Sequence, residues 1–135
     1  MTFALGKQSL SRLRGVHPLL VGVVVRAIRI TTADFTVYEG LRTMARQNEL
    51  VAAGKSKTLN SRHLTGHAVD LPAYRHGVPV WDRVLAQPIM NAMMQSARDC
   101  GVELRWGGDW DMDGDQGDET FRDLVHFELP KGVYE

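Results

Sequence analysis

The longest apolar stretch, Leu19 to Val25, is seven residues long, glycine included, and it is bounded by Pro18 and Arg26. A membrane helix needs roughly 20 such residues. No stable membrane insertion is therefore expected, and the core has to be assembled from several short elements. A chain of 135 residues, 44% of them hydrophobic, buries roughly two-thirds of its unfolded surface, enough for one core without covalent staples. Residues 1–135 therefore read as a single domain. The lone cysteine, Cys100, excludes an intramolecular disulfide and a thiolate zinc site, and it reads as a small buried hydrophobe near a helix end. Lys7, Arg12 and Arg14 ahead of the apolar stretch imitate a signal peptide, but Pro18 sits at its edge and no small-x-small cleavage pattern follows. The expectation is a protein made in the cytoplasm with no signal peptide.

Formal neutrality, 16 basic against 16 acidic residues, hides an asymmetry. Residues 1–62 carry ten Lys/Arg and three Asp/Glu, and residues 63–135 carry six and thirteen. Six of those acids lie between Asp109 and Glu119 with no base among them. The basic half shows no stripe with interleaved aromatics, which argues against nucleic acid as a partner.

Local patterns give the elements. Residues 7–14 read as a short helix. Pro18 fits the first turn of a longer one through Ile30, with Leu19, Leu20, Val23, Ala27 and Ile30 on one side. Phe35 to Glu39 alternates as a strand, and a helix runs from about Thr43 to Ala53, closed by Gly54. Gly66 to Tyr74 is strand-like and turns at Arg75, His76 and Gly77 into a strand from Val78 to Trp81. Asp82 caps a helix reaching Cys100, broken near its start by Pro88 and stopped by Gly101; Ile89, Met93, Met94 and Ala97 form its buried stripe. Val102 to Trp106 and Val125 to Leu129 complete the strands. The fold class is α+β, with helices packed on a small antiparallel sheet.

The chemistry concentrates in Ser61-Arg-His-Leu-Thr-Gly-His-Ala-Val-Asp70 and in Asp123-Leu-Val-His126-Phe-Glu128. His63 precedes a strand, Asp70 lies on it, and His126 opens the last strand. If those strands are neighbours, His63, Asp70 and His126 converge on one ion. Two imidazoles and a carboxylate suit zinc better than magnesium, and three protein ligands leave a fourth position for water. Asp123, three residues ahead of His126, is the candidate base. On extended strands Asp70 falls opposite Val69 and Leu71, and His126 and Glu128 fall opposite Val125, Phe127 and Leu129, so polar chemistry and packing separate onto two faces. A helical HExxH site is excluded, because Leu64 follows His63 and Thr65-Gly66 disfavour a helix. His67 then faces away from Asp70. The acidic segment repeats the opening of a calcium loop, with Asp109, Asp111, Asp113 and Asp115 and Gly114 at the sixth position, but Thr120 stands where an EF-hand has its bidentate Glu. Calcium as a regulator that orders this loop is an open alternative to a solvated acidic run.

These strings, with Trp106-Gly-Gly-Asp-Trp110 and the upstream Tyr38-Glu-Gly-Leu-Arg42-Thr and Gly54-Lys-Ser-Lys57, resemble the zinc D-Ala-D-Ala carboxypeptidase/L-alanyl-D-glutamate endopeptidase family of the lysostaphin, D-Ala-D-Ala peptidase and hedgehog fold group. The likeness covers nearly the whole chain and is strongest to short phage endolysins. It implies zinc on His63, Asp70 and His126, Asp123 as base, and Arg42 facing the substrate carbonyl to stabilise an oxyanion. Ser61 matches a family serine that either touches substrate or caps its loop. Many carboxypeptidase relatives have Glu at the base position, where the phage endopeptidases tend to have Asp. The implied function is hydrolysis of the L-alanyl-D-glutamate bond of the peptidoglycan stem peptide. The implied setting is a monomeric lysin held in the host cytoplasm until a holin gives it access to the wall. The rival readings are a D,D- or L,D-carboxypeptidase of wall remodelling and a metal-bound wall-binding module without turnover.

Overall fold

The computed structural model describes residues 2–54, 61–107 and 124–134. Helix α1, Lys7–Arg12, leads into α2, Pro18–Ile30, and the expected proline stands at the first helical position of α2. There the missing N–H costs nothing, and the His17 side chain accepts from the Leu19 amide at 3.1 Å. Helix α3, Met44–Ala52, is capped by Thr43, and α4, Arg83–Cys100, by Asp82, whose carboxylate accepts from the Val84 amide at 2.8 Å. Gly101 ends α4 in the left-handed conformation, as its position after the last apolar residue implies.

The central sheet has three antiparallel strands in the order β1, β5, β4: β1 Ala68–Asp70, β5 His126–Glu128 and β4 Arg105–Trp106. The hairpin of β2, Ala73–Arg75, and β3, Val78–Val80, forms a second sheet. It turns at His76 and Gly77, both with positive φ, the requirement of a tight turn that matches strand twist. Val69, Leu71, Phe127 and Leu129 face the core together with Leu20, Val23, Val24 and Ala27 of α2 and Ile89, Met93 and Ala97 of α4. Ser96 of α4 sits fully buried in this helix pair because its hydroxyl donates to the Val23 carbonyl at 2.7 Å.

Several expectations need correction. The strand expected over Gly66 to Tyr74 is two strands in two sheets, since Pro72 has no N–H to continue a ladder. Phe35 to Glu39 is extended and runs beside β1 and β2, but it is joined by single bridges, Phe35 to Ala73 and Glu39 to Asp70, rather than a ladder. Helix α4 runs unbroken through Pro88. The carbonyl this proline cannot satisfy is that of Val84, a residue 78% exposed, so the forfeited bond lies at the solvent side of the helix rather than in the core. The buried stripe of α2 is Leu20, Val23, Val24, Ala27 and Ile28, while Leu19 and Ile30 are exposed. Met94 packs only partly into the core, and Cys100 is exposed at the end of α4 rather than buried. Among the described residues no helix is long and apolar enough to cross a membrane.

Candidate metal centre

Backbone geometry brings the three ligand candidates together. Register pairs Asp70 on β1 directly with His126 on β5, so their side chains share one face, while Val69 and Phe127 pair on the other. His63 arrives from a short 3₁₀ turn, Arg62–Thr65, capped by the Ser61 hydroxyl accepting from the His63 amide at 3.2 Å. The turn ends at Gly66, φ +77°, where a Cβ would meet the Gly15 carbonyl oxygen at 2.3 Å. Only glycine allows both that conformation and that approach. The Gly66 carbonyl in turn accepts from the His17 amide at 2.7 Å, locking the turn to the start of α2.

One carboxylate oxygen organises the cluster. Asp70 Oδ1 lies 3.1 Å from His63 Nε2 and 3.1 Å from His126 Nδ1, and one ligand atom from each residue falls within 4.8 Å of the others. Ligands about 2.1 Å from a tetrahedral zinc stand about 3.4 Å apart. The donor set and its spacing therefore fit a metal ion. The outward nitrogens are tied as well: His63 Nδ1 donates to the Gly40 carbonyl at 2.8 Å, and His126 Nε2 lies 2.8 Å from Glu128 Oε1. Because a carbonyl only accepts, His63 Nδ1 carries a proton, and Nε2 is the nitrogen left for a metal.

Charge is concentrated here out of water. Burial opposes the ionised form of Asp70, but the adjacent His63 and His126 rings outweigh it and hold the carboxyl far below its usual range. Burial would lower the pKa of His126; hydrogen bonds to Asp70 and Glu128 overcome it and push the value up to about 9.

Arg42 borders this group with its side chain 5% exposed. Its Nε and Nη2 grip both Glu39 oxygens, Nη1 donates to Gln47 Oε1 at 2.7 Å and to Ser61 Oγ at 3.4 Å, and Nη2 stands 3.8 Å from Asp70 Oδ2. Ser61 thus caps the turn and touches the arginine. The Arg42 amide also donates to the His63 carbonyl at 2.9 Å. Gly40 lets this segment lie against the end of α1, since a Cβ there would meet the Arg12 carbonyl oxygen at 2.2 Å.

Of the residues singled out from the sequence, His63, Asp70, His126, Arg42 and Ser61 come together. His67 is not in the group; its Nδ1 lies 2.7 Å from Thr65 Oγ1 and its ring 5.2 Å from that of His17. Asp123 and the calcium candidates Asp109, Asp111, Asp113 and Asp115 lie outside the described residues. Glu39 and fully buried Gln47 were not singled out as site residues, and Glu128, placed on the polar face beside His126, was given no role. Glu128 carried a signal, its two-residue spacing from His126 on a strand; Gln47 carried none, because a single polar residue in an amphipathic helix reads as solvent-facing.

The sequence pattern of a family described as phage L-alanyl-D-glutamate peptidase matches residues 1–130. The chain belongs to this family. It is 36% identical over 136 residues to the L-alanyl-D-glutamate peptidase of Escherichia phage T5, an alignment covering 96% of this chain and 99% of that protein. It is also similar to the crystal structure of the Serratia marcescens L-Ala D-Glu endopeptidase ChiX, with a TM-score of 0.83, 45% identity, and coverage of 99% of this chain and 93% of that one.

Proposed function

We propose that residues 1–135 form one zinc-dependent peptidase domain that hydrolyses the L-alanyl-D-glutamate bond of the peptidoglycan stem peptide, as a phage or prophage endolysin. The observation that carries this reading is Asp70 Oδ1 placed 3.1 Å from one nitrogen of each of two histidines, in a chain related along its length to peptidases named for that bond.

His63 Nε2, Asp70 and His126 Nδ1 would hold the zinc. When bound, it supplies Lewis-acid polarisation of the scissile carbonyl and lowers the pKa of water toward about 7. Asp123 takes the proton of the attacking water and passes it to the leaving amine of D-Glu. Arg42, fixed by Glu39 and Gln47, presents a rigid guanidinium edge beside Asp70, suited to the charge that develops on the carbonyl oxygen. Ser61 borders the substrate side of that arginine. Calcium on Asp109, Asp111, Asp113 and Asp115 is proposed to order the segment that leads to Asp123. The protein acts as a monomer and waits in the host cytoplasm for a holin to open the path to the wall.

Mass spectrometry of fragments released from purified Gram-negative sacculi by zinc-loaded protein, with a chelated control, tests the reading. Peptides beginning at D-Glu, absent with chelator, are expected. Loss of terminal D-Ala alone would make the protein a carboxypeptidase, and no release would make it a wall-binding module.

A further inference from the structure

We infer that Glu128 is a positioning residue that selects which nitrogen of His126 faces the metal, an inference that rests on the zinc reading above. The two histidines present different nitrogens to Asp70, Nε2 from His63 and Nδ1 from His126. For His63 the choice follows from the backbone, because Nδ1 has the Gly40 carbonyl at 2.8 Å. For His126 it follows from a side chain. Glu128 Oε1 stands 2.8 Å from Nε2, so the Nε2 proton stays with that carboxylate, and Nδ1, which faces Asp70, is the nitrogen left for a metal.

The strand builds this arrangement. Glu128 follows His126 by two residues on the same face of β5, and its neighbours in register are Ala68 on β1 and Arg105 on β4. Ala68 leaves space for a buried carboxylate, and Arg105 Nη1, 3.8 Å from Glu128 Oε2, supplies compensating charge. Glu128 is 6% exposed. An ionised carboxylate at that burial needs partners, and the imidazole N–H at 2.8 Å is one of them.

The test uses the full chain, with zinc as the probe. Zinc affinity is measured by competition with a chromophoric chelator for wild type, E128A, E128Q and R105A. The coordinating nitrogen of His126 is read from ¹⁵N shifts of the histidine-labelled, zinc-loaded protein. Wild type is expected to show His126 protonated on Nε2 and bound through Nδ1. Glu128→Ala should weaken zinc binding about 10- to 100-fold, while Glu128→Gln, whose amide oxygen still accepts the N–H, should stay within a few-fold of wild type. A purely structural ion pair predicts instead that Arg105→Ala reproduces the loss seen in E128A, and that result overturns the inference. So does E128A that binds zinc as wild type does, or wild-type His126 coordinated through Nε2; the wild-type spectrum decides even if E128A does not fold. A wild-type chain that takes up no zinc overturns the zinc reading as well, and the missing zinc signal in wild type tells that failure apart.

Discussion

Asp70 shows how much one side chain is asked to do. Its Oδ1 faces both imidazoles and its Oδ2 faces Arg42, so it cannot also serve as a free base. The proposed reaction therefore needs a carboxylate outside the proposed ligand set, the role proposed above for Asp123. Asp123→Asn is expected to bind zinc with wild-type stoichiometry and affinity while turnover on sacculi falls by at least about 10²-fold. Metal analysis beside a fragment-release assay checks it, and a parallel loss of zinc would make Asp123 a ligand. The residues of this site differ in how readable they are. His63, Asp70 and His126 stand out because histidine is scarce, with 5 in the chain, and because period-two alternation separates them from Val69 and Phe127. Glu39 and Gln47 reach the site as partners of the Arg42 side chain, and no spacing rule points from them to a guanidinium.

Among the elements, α4 carries a cost that its packing offsets. A proline in a helix interior forfeits a hydrogen bond and crowds the preceding turn, yet Ile89, Met93 and Ala97 bury against α2 and hold the helix together across it. Pro88→Ala restores the amide at a position where the Val84 carbonyl is available, and it is expected to raise stability by about 1–3 kcal/mol; thermal denaturation under zinc-saturated conditions measures it. The helices were legible because caps and apolar spacing are local: Pro18, Thr43, Asp82 and Gly101 mark ends that the structure keeps. The strands were legible only in part. Three-residue strands such as Ala68–Asp70 are too short for periodicity to fix their ends. The split at Leu71-Pro72 is set by which neighbour each half meets, a tertiary fact.

At the scale of the whole molecule, pH and metal act on the same group. In the metal-free protein the pKa of His126 is raised to about 9. Its charged form therefore contributes stability that is fully present below the unfolded value near 6.5 and is lost as pH rises through about 9. Asp70, with its pKa depressed, contributes stability present above its ordinary value of 3.8 and lost as pH falls below that. Denaturant midpoints in chelator are expected to decline on both sides, toward pH 9 and below pH 4, and zinc should flatten the alkaline decline because the metal takes the place of the proton on His126. An alkaline decline unchanged by zinc would place the metal elsewhere.

An ion held by residues 63, 70 and 126 is also a cross-link. It ties the 3₁₀ turn to the last strand and closes a loop containing β1, the β2–β3 hairpin, all of α4 and β4. Closing a loop restricts the unfolded chain, with a cost that grows only with the logarithm of its length. A chain without disulfides thereby gains a removable staple. Amide exchange in Ile89–Ala97, a segment with no proposed ligand in it, is expected to accelerate when zinc is stripped, so the metal proposed for the chemistry would also set how readily half the protein comes apart.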